Sequence, residues 1–312
     1  MKRCLIFIFS GSIFACMLLF PKPVFTGAAN GLLLWFNTVI PTLFPFMIIS
    51  GILIKTDAIR LLARILHPVL GPLFCISPPA SFAVLGGFLC GYPMGARIIA
   101  ELTGNGSISR NEGEYLLSFC NNTSPMFLIS FLLLQSLNRG DLANISLVIL
   151  FGAPVLLSFL FRRWYPVHEH SAHLTGTVSR KKEPTPFSAC LDDSIMEACE
   201  SITKVGGYII VFSILLALLK EIPLSGAFWE RLLLPAVEMT NGITLLCAQD
   251  IPFSMKYILT MALVSFGGLC AAFQTQCMVR KQHFSMGRYI TEKLITASVT
   301  SLFAYFCIYF IR

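Results

Sequence analysis

The segment GGFLCGYPMGAR, residues 86–97, combines helix-breaking residues with a full positive charge inside a very apolar sequence. Glycine tolerates open backbone conformations, and proline removes a backbone donor, so the segment predicts a break at residues 91–93 and a new half-helix that starts near Met94. The free N–H groups at a helix start carry partial positive charge. We therefore predict an anion-binding site here, and its candidate residues are Gly91, Tyr92, Pro93, Gly95 and Arg97.

Arg97 also has a purely structural interpretation. Glu101 follows it by four residues, which places both side chains on the same face of a helix. An Arg97–Glu101 pair would lock a hairpin near the membrane interface without contacting a ligand. The sequence leaves both interpretations open.

A second candidate site is a polar interruption in the apolar run 113–137. It consists of Asn121, Asn122, Thr123 and Ser124, followed by a proline. Such side chains are costly in lipid unless they face a partner or a pore. We expect them to face a substrate or an ion, and the alternative is a polar contact between helices.

The third candidate is the segment EMTNG in the second half of the chain, which places Glu238 beside Thr240 and Asn241. The carboxylate could bind a cation or a proton, or pair with Arg97. The alternative is a turn in which Glu238 caps a helix. Gln274 is a weaker candidate, in the helix that corresponds to the one carrying the asparagines.

No residue pattern indicates an enzyme. The sequence contains no H-E-x-x-H, G-x-S-x-G or P-loop motif, and no nucleophile–base pair can be argued from spacing. We expect no catalytic residues. The eleven cysteines are scattered without a C-x-x-C pair, so neither a metal site nor a cofactor is expected.

The composition indicates the class of protein that carries these residues. Of the 312 residues, 55% are hydrophobic and 12% are charged, and the mean hydropathy is +0.75. A soluble domain needs more charge to cover its surface. The sequence therefore predicts an all-α polytopic membrane protein within the lipid bilayer. The net charge of +7 is assigned to loops, and nucleic-acid binding is not expected.

Several apolar runs reach the roughly 20 residues that cross a bilayer as a helix. The predicted spans are residues 4–20, 31–54, 113–137, 142–161, 204–220, 257–279 and 288–311. Two further regions, 61–100 and 226–250, are apolar but interrupted by proline and glycine. Such breaks are tolerated at membrane depth only where protein or a watery cavity satisfies the backbone, so we predict that both regions are re-entrant hairpins or broken helices.

This layout predicts an internal repeat of helix, re-entrant hairpin, helix and helix. Three crossings in each half would give the halves opposite orientations, as in the inverted repeats of secondary transporters. The predicted units are an N-terminal transmembrane helix at 1–30, a first repeat at 31–161, a linker at 162–193 and a second repeat at 194–312.

Basic residues predict the orientation in the membrane. Lys2 and Arg3 place the N-terminus in the cytoplasm, and the basic linker 162–193 is placed there too. Lys220 and Lys256 are left near the outer face, against the rule. Three histidines in the linker permit metal binding, but a solvated linker is the simpler interpretation.

The stretch GGFLCGYPMGARIIAELTGNGSISRNEGEYLLSFCNNTSPMF, residues 86–127, resembles the characteristic region of YlbJ-type sporulation integral membrane proteins. These belong to the wider nucleoside-recognition, or Gate, group. Residues 35–53, WFNTVIPTLFPFMIISGIL, are similar to the start of a first Gate repeat, and EMTNG is similar to the matching point of a second. The resemblance extends over about residues 30–310.

The resemblance implies transport of dipicolinate, pyridine-2,6-dicarboxylate, from the mother cell across the outer forespore membrane during sporulation. A planar dianion suits the positive charge predicted at Arg97, with Asn121 and Asn122 as donors; the residues alone indicate only an anion site. A nucleoside-type carrier and a non-transporting sporulation membrane scaffold stay as alternatives. The driving force and the oligomeric state, a homo-oligomer included, are left open.

Overall fold

The computed structural model describes residues 2–56, 58–165, 186–223 and 226–310, and every regular element within these ranges is helical. The predicted all-α membrane class is confirmed. The α-helices of the described residues are α1 Lys2–Leu19, α2 Pro21–Leu34, α3 Ile40–Lys55, α4 Ala58–Phe74, α5 Pro78–Cys90, α6 Met94–Gly104, α7 Arg110–Cys120, α8 Ala143–Phe161, α9 Phe187–Lys220, α10 Met239–Ala248, α11 Phe253–Phe266, α12 Gly268–Val279 and α13 Met286–Phe310.

Fewer uninterrupted spans occur than the seven predicted. In the described part of the chain, three helices are long and apolar enough to cross a membrane, or five if each of two bent pairs is one span. The three are Gly140–Trp164, Phe187–Lys220 and Phe253–Gln282. α13 is long enough, but its apolar run contains Glu292 and Lys293. Helix breaks inside apolar runs account for the other predicted spans that are not found as single helices.

The N-terminal region is one such bent pair. Gly11–Leu19 and Pro21–Val39 meet at 104°. A π-helical turn, Trp35–Val39, then continues directly into α3. The helix predicted to start at residue 31 therefore starts ten residues earlier, because a proline in the first turn is compatible with a helix start.

The interrupted region 61–100 is broken as predicted. Arg64–Phe74 and Pro78–Cys90 meet at 88°. α5 then ends at Cys90, the following Gly91 has a φ of +80° that is accessible mainly to glycine, and α6 begins at Met94. The position predicted for the start of the new half-helix is thus correct.

The single helix predicted at 113–137 is wrong, because α7 ends at Cys120 and residues 121–124 are not helical. A mostly π-helical segment follows, including Phe127–Ser136. It begins at Pro125, whose missing N–H costs nothing in a first helical turn. The span predicted at 257–279 lies within Phe253–Gln282, which is long and apolar enough to cross a membrane, although φ is +87° at Gly267 between α11 and α12.

The second interrupted region, 226–250, contains the π-helical segment Trp229–Leu233, a non-helical stretch and then α10. The long helix α9 packs along α2 and α3. It begins at Phe187, inside the predicted linker, whose residues 166–185 and three histidines lie outside the described residues. α9 positions both cavities described below.

Candidate functional site

Four helix breaks from the two halves of the chain meet at one place, which we call the junction: residues 91–93, 121–124, 235–239 and 264–268. A Cβ atom built on Gly91 would lie 2.6 Å from the Ser124 backbone nitrogen. One built on Gly267 would lie 2.7 Å from the Tyr92 hydroxyl. These distances leave no room for side chains at the two glycines, so Gly91 packs directly against the Ser124 backbone and Gly267 against the Tyr92 side chain.

The backbone of the second half is satisfied within its own two breaks. The N–H of Leu269, at the start of α12, donates to the Ala236 carbonyl at 2.7 Å. The N–H of Cys270 donates to the Val237 carbonyl at 3.1 Å. The orphan donors of a helix start are therefore paired with carbonyl groups of the neighbouring break.

Tyr92 and Thr123 connect the first half to the second. The Tyr92 hydroxyl donates to the Val264 carbonyl at 2.6 Å, and the Thr123 hydroxyl lies 2.8 Å from both of these oxygens. Val264 is in the last turn of α11, where carbonyl groups lack an intrahelical partner. Side chains from one half thus satisfy the backbone that the break exposes in the other.

Asn121 binds three different helices. Its amide nitrogen donates to the hydroxyls of Thr275, at 2.9 Å, and Tyr289, at 2.8 Å. Its amide oxygen accepts from the Ala96 N–H, in the first turn of α6, at 3.3 Å. The start of α6 is therefore fixed against α12 and α13 through one buried side chain.

Asn122 and Ser124 have more local partners. The Asn122 amide donates to the Phe119 carbonyl at 2.5 Å. The Ser124 hydroxyl accepts from the Phe127 N–H at 3.3 Å and so caps the following helical segment. Gly95 provides close approach, because a Cβ atom there would lie 3.1 Å from the Gly87 Cα.

Lys293, in α13, contacts the junction and is a residue that the sequence did not indicate. Its ammonium group donates to the Asn121 carbonyl at 3.0 Å and to the Asn122 amide oxygen at 2.9 Å. It also lies 5.6 Å from the centre of the Tyr92 ring. The adjacent charges Glu292 and Lys293 inside an apolar run were the signal for it, since ionisable residues in spans are typically functional.

Arg97 lies in a different environment. Its Nε atom is 3.1 Å from Glu101, its Nη2 atom is 3.5 Å from Glu197, and its Nη1 atom is buried without a hydrogen-bond partner. The structural pair with Glu101 is therefore present, and one donor is still free for a ligand.

Arg97 lines a cavity of about 410 Å³, which we call the first cavity. The cavity is lined by Gly51, Lys55, Arg97, Glu101, Asn105, Glu197, Glu200, Ser201 and Lys204. It lies between α3, α6 and the N-terminal part of α9.

Glu238 caps α10, as the structural alternative predicted. Its carboxylate accepts from the backbone N–H groups of Thr240, at 3.1 Å, and Asn241, at 2.8 Å, and from the Asn241 amide, also at 2.8 Å. The Asn241 amide further donates to Ser213 at 3.0 Å. The ion pairs of Arg97 are with other carboxylates, so a Glu238–Arg97 pair is not formed.

A second cavity of about 600 Å³ lies at the C-terminal end of α9. It is lined by Leu19, Phe20, Pro21, Lys22, Pro23, Thr26, Gly27, Asn30, Ser213, Leu216, Ala217, Lys220, Glu221 and Asn241. The start of α10 thus contributes Asn241 to the second cavity, as the start of α6 contributes Arg97 to the first.

Gln274 is buried and donates to the Cys270 sulfur at 3.2 Å within α12. Its neighbour Thr275, which the sequence did not indicate, is the residue that contacts Asn121. No group of three or more His, Cys, Asp or Glu side chains among the residues with described positions could hold a metal ion.

Comparison with known proteins shows which family and which relative this chain is similar to. Residues 36–153 match the Gate family, described as nucleoside recognition. Over 320 aligned residues, the chain is 26% identical to the sporulation integral membrane protein YlbJ of Bacillus subtilis (strain 168), an alignment that includes 91% of this chain and 77% of YlbJ. This chain resembles YlbJ.

The predicted resemblance to YlbJ-type Gate proteins is therefore confirmed, and with it the assignment as an integral membrane protein. The Gate match includes the first two breaks of the junction, and the YlbJ alignment extends well beyond the Gate match. No solved structure matches the chain.

Proposed function

We propose that this membrane protein carries a small organic anion, and that the anion is dipicolinate moving from the mother cell toward the forespore. The observation that carries the proposal is the junction, where the breaks of two chain halves meet and Tyr92 and Thr123 bind the Val264 carbonyl across them. Secondary transporters bind substrates where discontinuous helices from two inverted repeats meet. We assign the two halves of this chain to such a repeat.

Three positive groups favour an anion as the substrate. The first turn of α6 ends a break and carries the positive end of the helix dipole. Arg97 lines the first cavity and has an unpaired Nη1 donor, and the Lys293 ammonium lies at the junction itself. A planar dicarboxylate such as dipicolinate supplies two groups that accept hydrogen bonds from such donors.

We place the two cavities at opposite ends of the anion's route along α9. Ser201 lines the first and Ser213 lines the second, which separates them by about 18 Å along the helix axis. Because the basic linker precedes α9, we place the first cavity on the cytoplasmic side of the outer forespore membrane. The anion then enters beside Arg97 and leaves beside Asn241.

A nucleoside-type carrier is the second candidate, because the matching family is described as nucleoside recognition. Ribose hydroxyls are typically bound by carboxylate acceptors. The carboxylate of Glu238 already accepts three hydrogen bonds within its cap. Glu238 is therefore not available to ribose hydroxyls, and the donors at the junction favour an anion over a nucleoside.

The test uses a Bacillus subtilis strain that lacks YlbJ and expresses this chain. We expect the chain to raise the dipicolinate content of spores, and Asn121→Ala to abolish the increase, because Asn121 fixes α6 to α12 and α13. The control is Asn144→Ala, an exposed residue of α8. Normal dipicolinate content with Asn121→Ala at normal protein level would contradict the proposal.

The scaffold alternative predicts the opposite pattern in the same strain. A scaffold would depend on its polar linker and would tolerate substitutions at the junction. Deletion of residues 170–185 should therefore leave the dipicolinate content unchanged if the chain is a transporter, and should lower it if the chain is a scaffold.

A further inference from the structure

Lys293 is a buried cation without a carboxylate partner. Its side chain is 1% exposed, and none of the ion pairs formed by the described residues includes it. Both acceptors of its ammonium group, the Asn121 carbonyl and the Asn122 amide oxygen, are neutral. A buried charge is costly unless it is paired, and no carboxylate of the described residues lies within ion-pair distance of the Lys293 ammonium group.

The adjacent Glu292 carboxylate attracts the ammonium group but forms no direct ion pair with it. Consecutive residues of a helix point in different directions. The Glu292 carboxylate accepts a hydrogen bond of 2.6 Å from the Tyr165 hydroxyl. The two charges of α13 thus have separate sets of partners.

From this arrangement we infer that Lys293 binds a carboxylate group of the transported anion, which replaces the neutral Asn122 amide oxygen as its acceptor. The inference rests on the proposed function and specifies the chemistry of its site. The ligand class is a small carboxylate whose charge neutralises the ammonium group.

The surroundings of Lys293 favour a flat ligand. The Tyr92 ring lies beside the ammonium group, and an aromatic ring offers a planar apolar surface next to the bound carboxylate. The Thr123 hydroxyl and the Tyr92 hydroxyl are close enough to share the Val264 carbonyl. If the junction opens, these hydroxyls become donors for the rest of the ligand.

Calorimetric titration of the purified full-length protein in detergent tests the inference with three related ligands. They are dipicolinate with two carboxylates, picolinate with one, and pyridine-2,6-dicarboxamide with none. We expect wild-type protein to bind the carboxylates more tightly than the uncharged diamide. Lys293→Gln, which keeps a donor but removes the charge, should weaken dipicolinate binding about 30-fold and leave diamide binding nearly unchanged.

The matched control is Arg288→Gln, which removes a positive charge from an exposed position of the same helix. It should bind all three ligands as wild-type protein does. Lys293→Arg, which restores the charge, should keep the preference for carboxylates and provides a second variant if Lys293→Gln does not fold.

Two results would overturn the inference. One is wild-type protein that binds the diamide as tightly as dipicolinate, or binds no carboxylate, a result that needs no variant. The other is Lys293→Gln protein that melts at the wild-type temperature and either keeps its carboxylate preference or loses all three ligands equally. If carboxylates bind through Lys293 but vesicles accumulate no dipicolinate, the proposed function fails and the inference stands.

Discussion

The hydroxyl of Tyr92 donates a 2.6 Å hydrogen bond to the carbonyl of Val264, a residue 172 positions later in the chain. Tyr92 lies in a break of the first half, and Val264 lies where α11 ends in the second. The bond satisfies a carbonyl that the break exposes. Apolar packing also joins the two halves, so the bond adds a polar contact at the break to an interface that is otherwise packed with hydrophobic side chains.

Tyr92→Phe should impair transport more than it impairs stability. The change removes one buried hydrogen bond, which contributes about 1 kcal/mol, while Thr123 remains within 2.8 Å of the Val264 carbonyl. The control is Tyr257→Phe, which removes the buried bond between Tyr257 and Ser146, away from the four breaks. Thermal melting in detergent and dipicolinate uptake into proteoliposomes measure the two effects.

Both tyrosine variants should lower the melting temperature by a similar amount, but only Tyr92→Phe should reduce the uptake rate, by about tenfold. Equal uptake by the two variants would show that the Tyr92–Val264 bond at the junction has no part in transport.

Gly87→Ala should destabilise the protein strongly. A Cβ atom at this position in α5 would lie 2.3 Å from the Cys120 carbonyl oxygen, so α5 and α7 would have to separate. Forcing an extra methyl group into a packed interface costs about 1–3 kcal/mol. Gly152→Ala in α8 is the matched control, because nothing lies within 4 Å of its added Cβ atom.

The melting temperature should fall for Gly87→Ala and should stay constant or rise for Gly152→Ala, since alanine favours a helix over glycine. Similar melting temperatures for the two variants would contradict the close approach of α5 to the end of α7.

Arg97→Gln should raise the KM for dipicolinate about tenfold with little change in kcat. Arg97 lines the first cavity with a free donor and is expected to capture the anion before it reaches the junction. Arg110→Gln is the control, because it also breaks an i,i+4 pair, that with Glu114, but at an exposed position. An unchanged KM for Arg97→Gln would show that Arg97 does not bind the anion and only pairs with Glu101.

Glu238→Gln should leave uptake and its response to a pH gradient unchanged. A glutamine oxygen can still accept hydrogen bonds from the start of α10, whereas Glu238→Ala removes the cap and should cost about 1 kcal/mol of stability. Uptake measured with and without a pH gradient decides whether Glu238 only caps α10 or also binds a coupling proton. A pH response that disappears with Glu238→Gln would identify Glu238 as the residue that binds a coupling proton.

The sequence predicted the local features of the fold well. Gly91 and Pro93 indicated a break, and α6 begins at Met94 as expected, because glycine and proline act on the backbone at their own positions. The break at Asn121–Ser124 was mistaken for a polar patch inside one helix. Its proline follows the polar residues, and a proline at that place fits the start of a new helix as well as an interruption.

The partners of the site residues could not be predicted, because they lie far apart in the chain. Lys293 reaches Asn122 across 171 positions, and Thr123 reaches Val264 across 141. Lys293 lies near the start of a helix that follows a basic loop, where a lysine is ordinarily interfacial. Only the packing of α13 against the end of α7 shows that its ammonium group is buried.

Uptake of labelled dipicolinate into proteoliposomes that contain the purified wild-type protein tests the proposed function most directly. Labelled nucleosides and other dicarboxylates are measured in parallel, with and without a pH gradient, and protein-free vesicles are the control. We expect dipicolinate to accumulate faster than any nucleoside, and excess unlabelled dipicolinate to abolish the signal. Nucleoside uptake without dipicolinate uptake, or no uptake of either, would contradict transport of this anion.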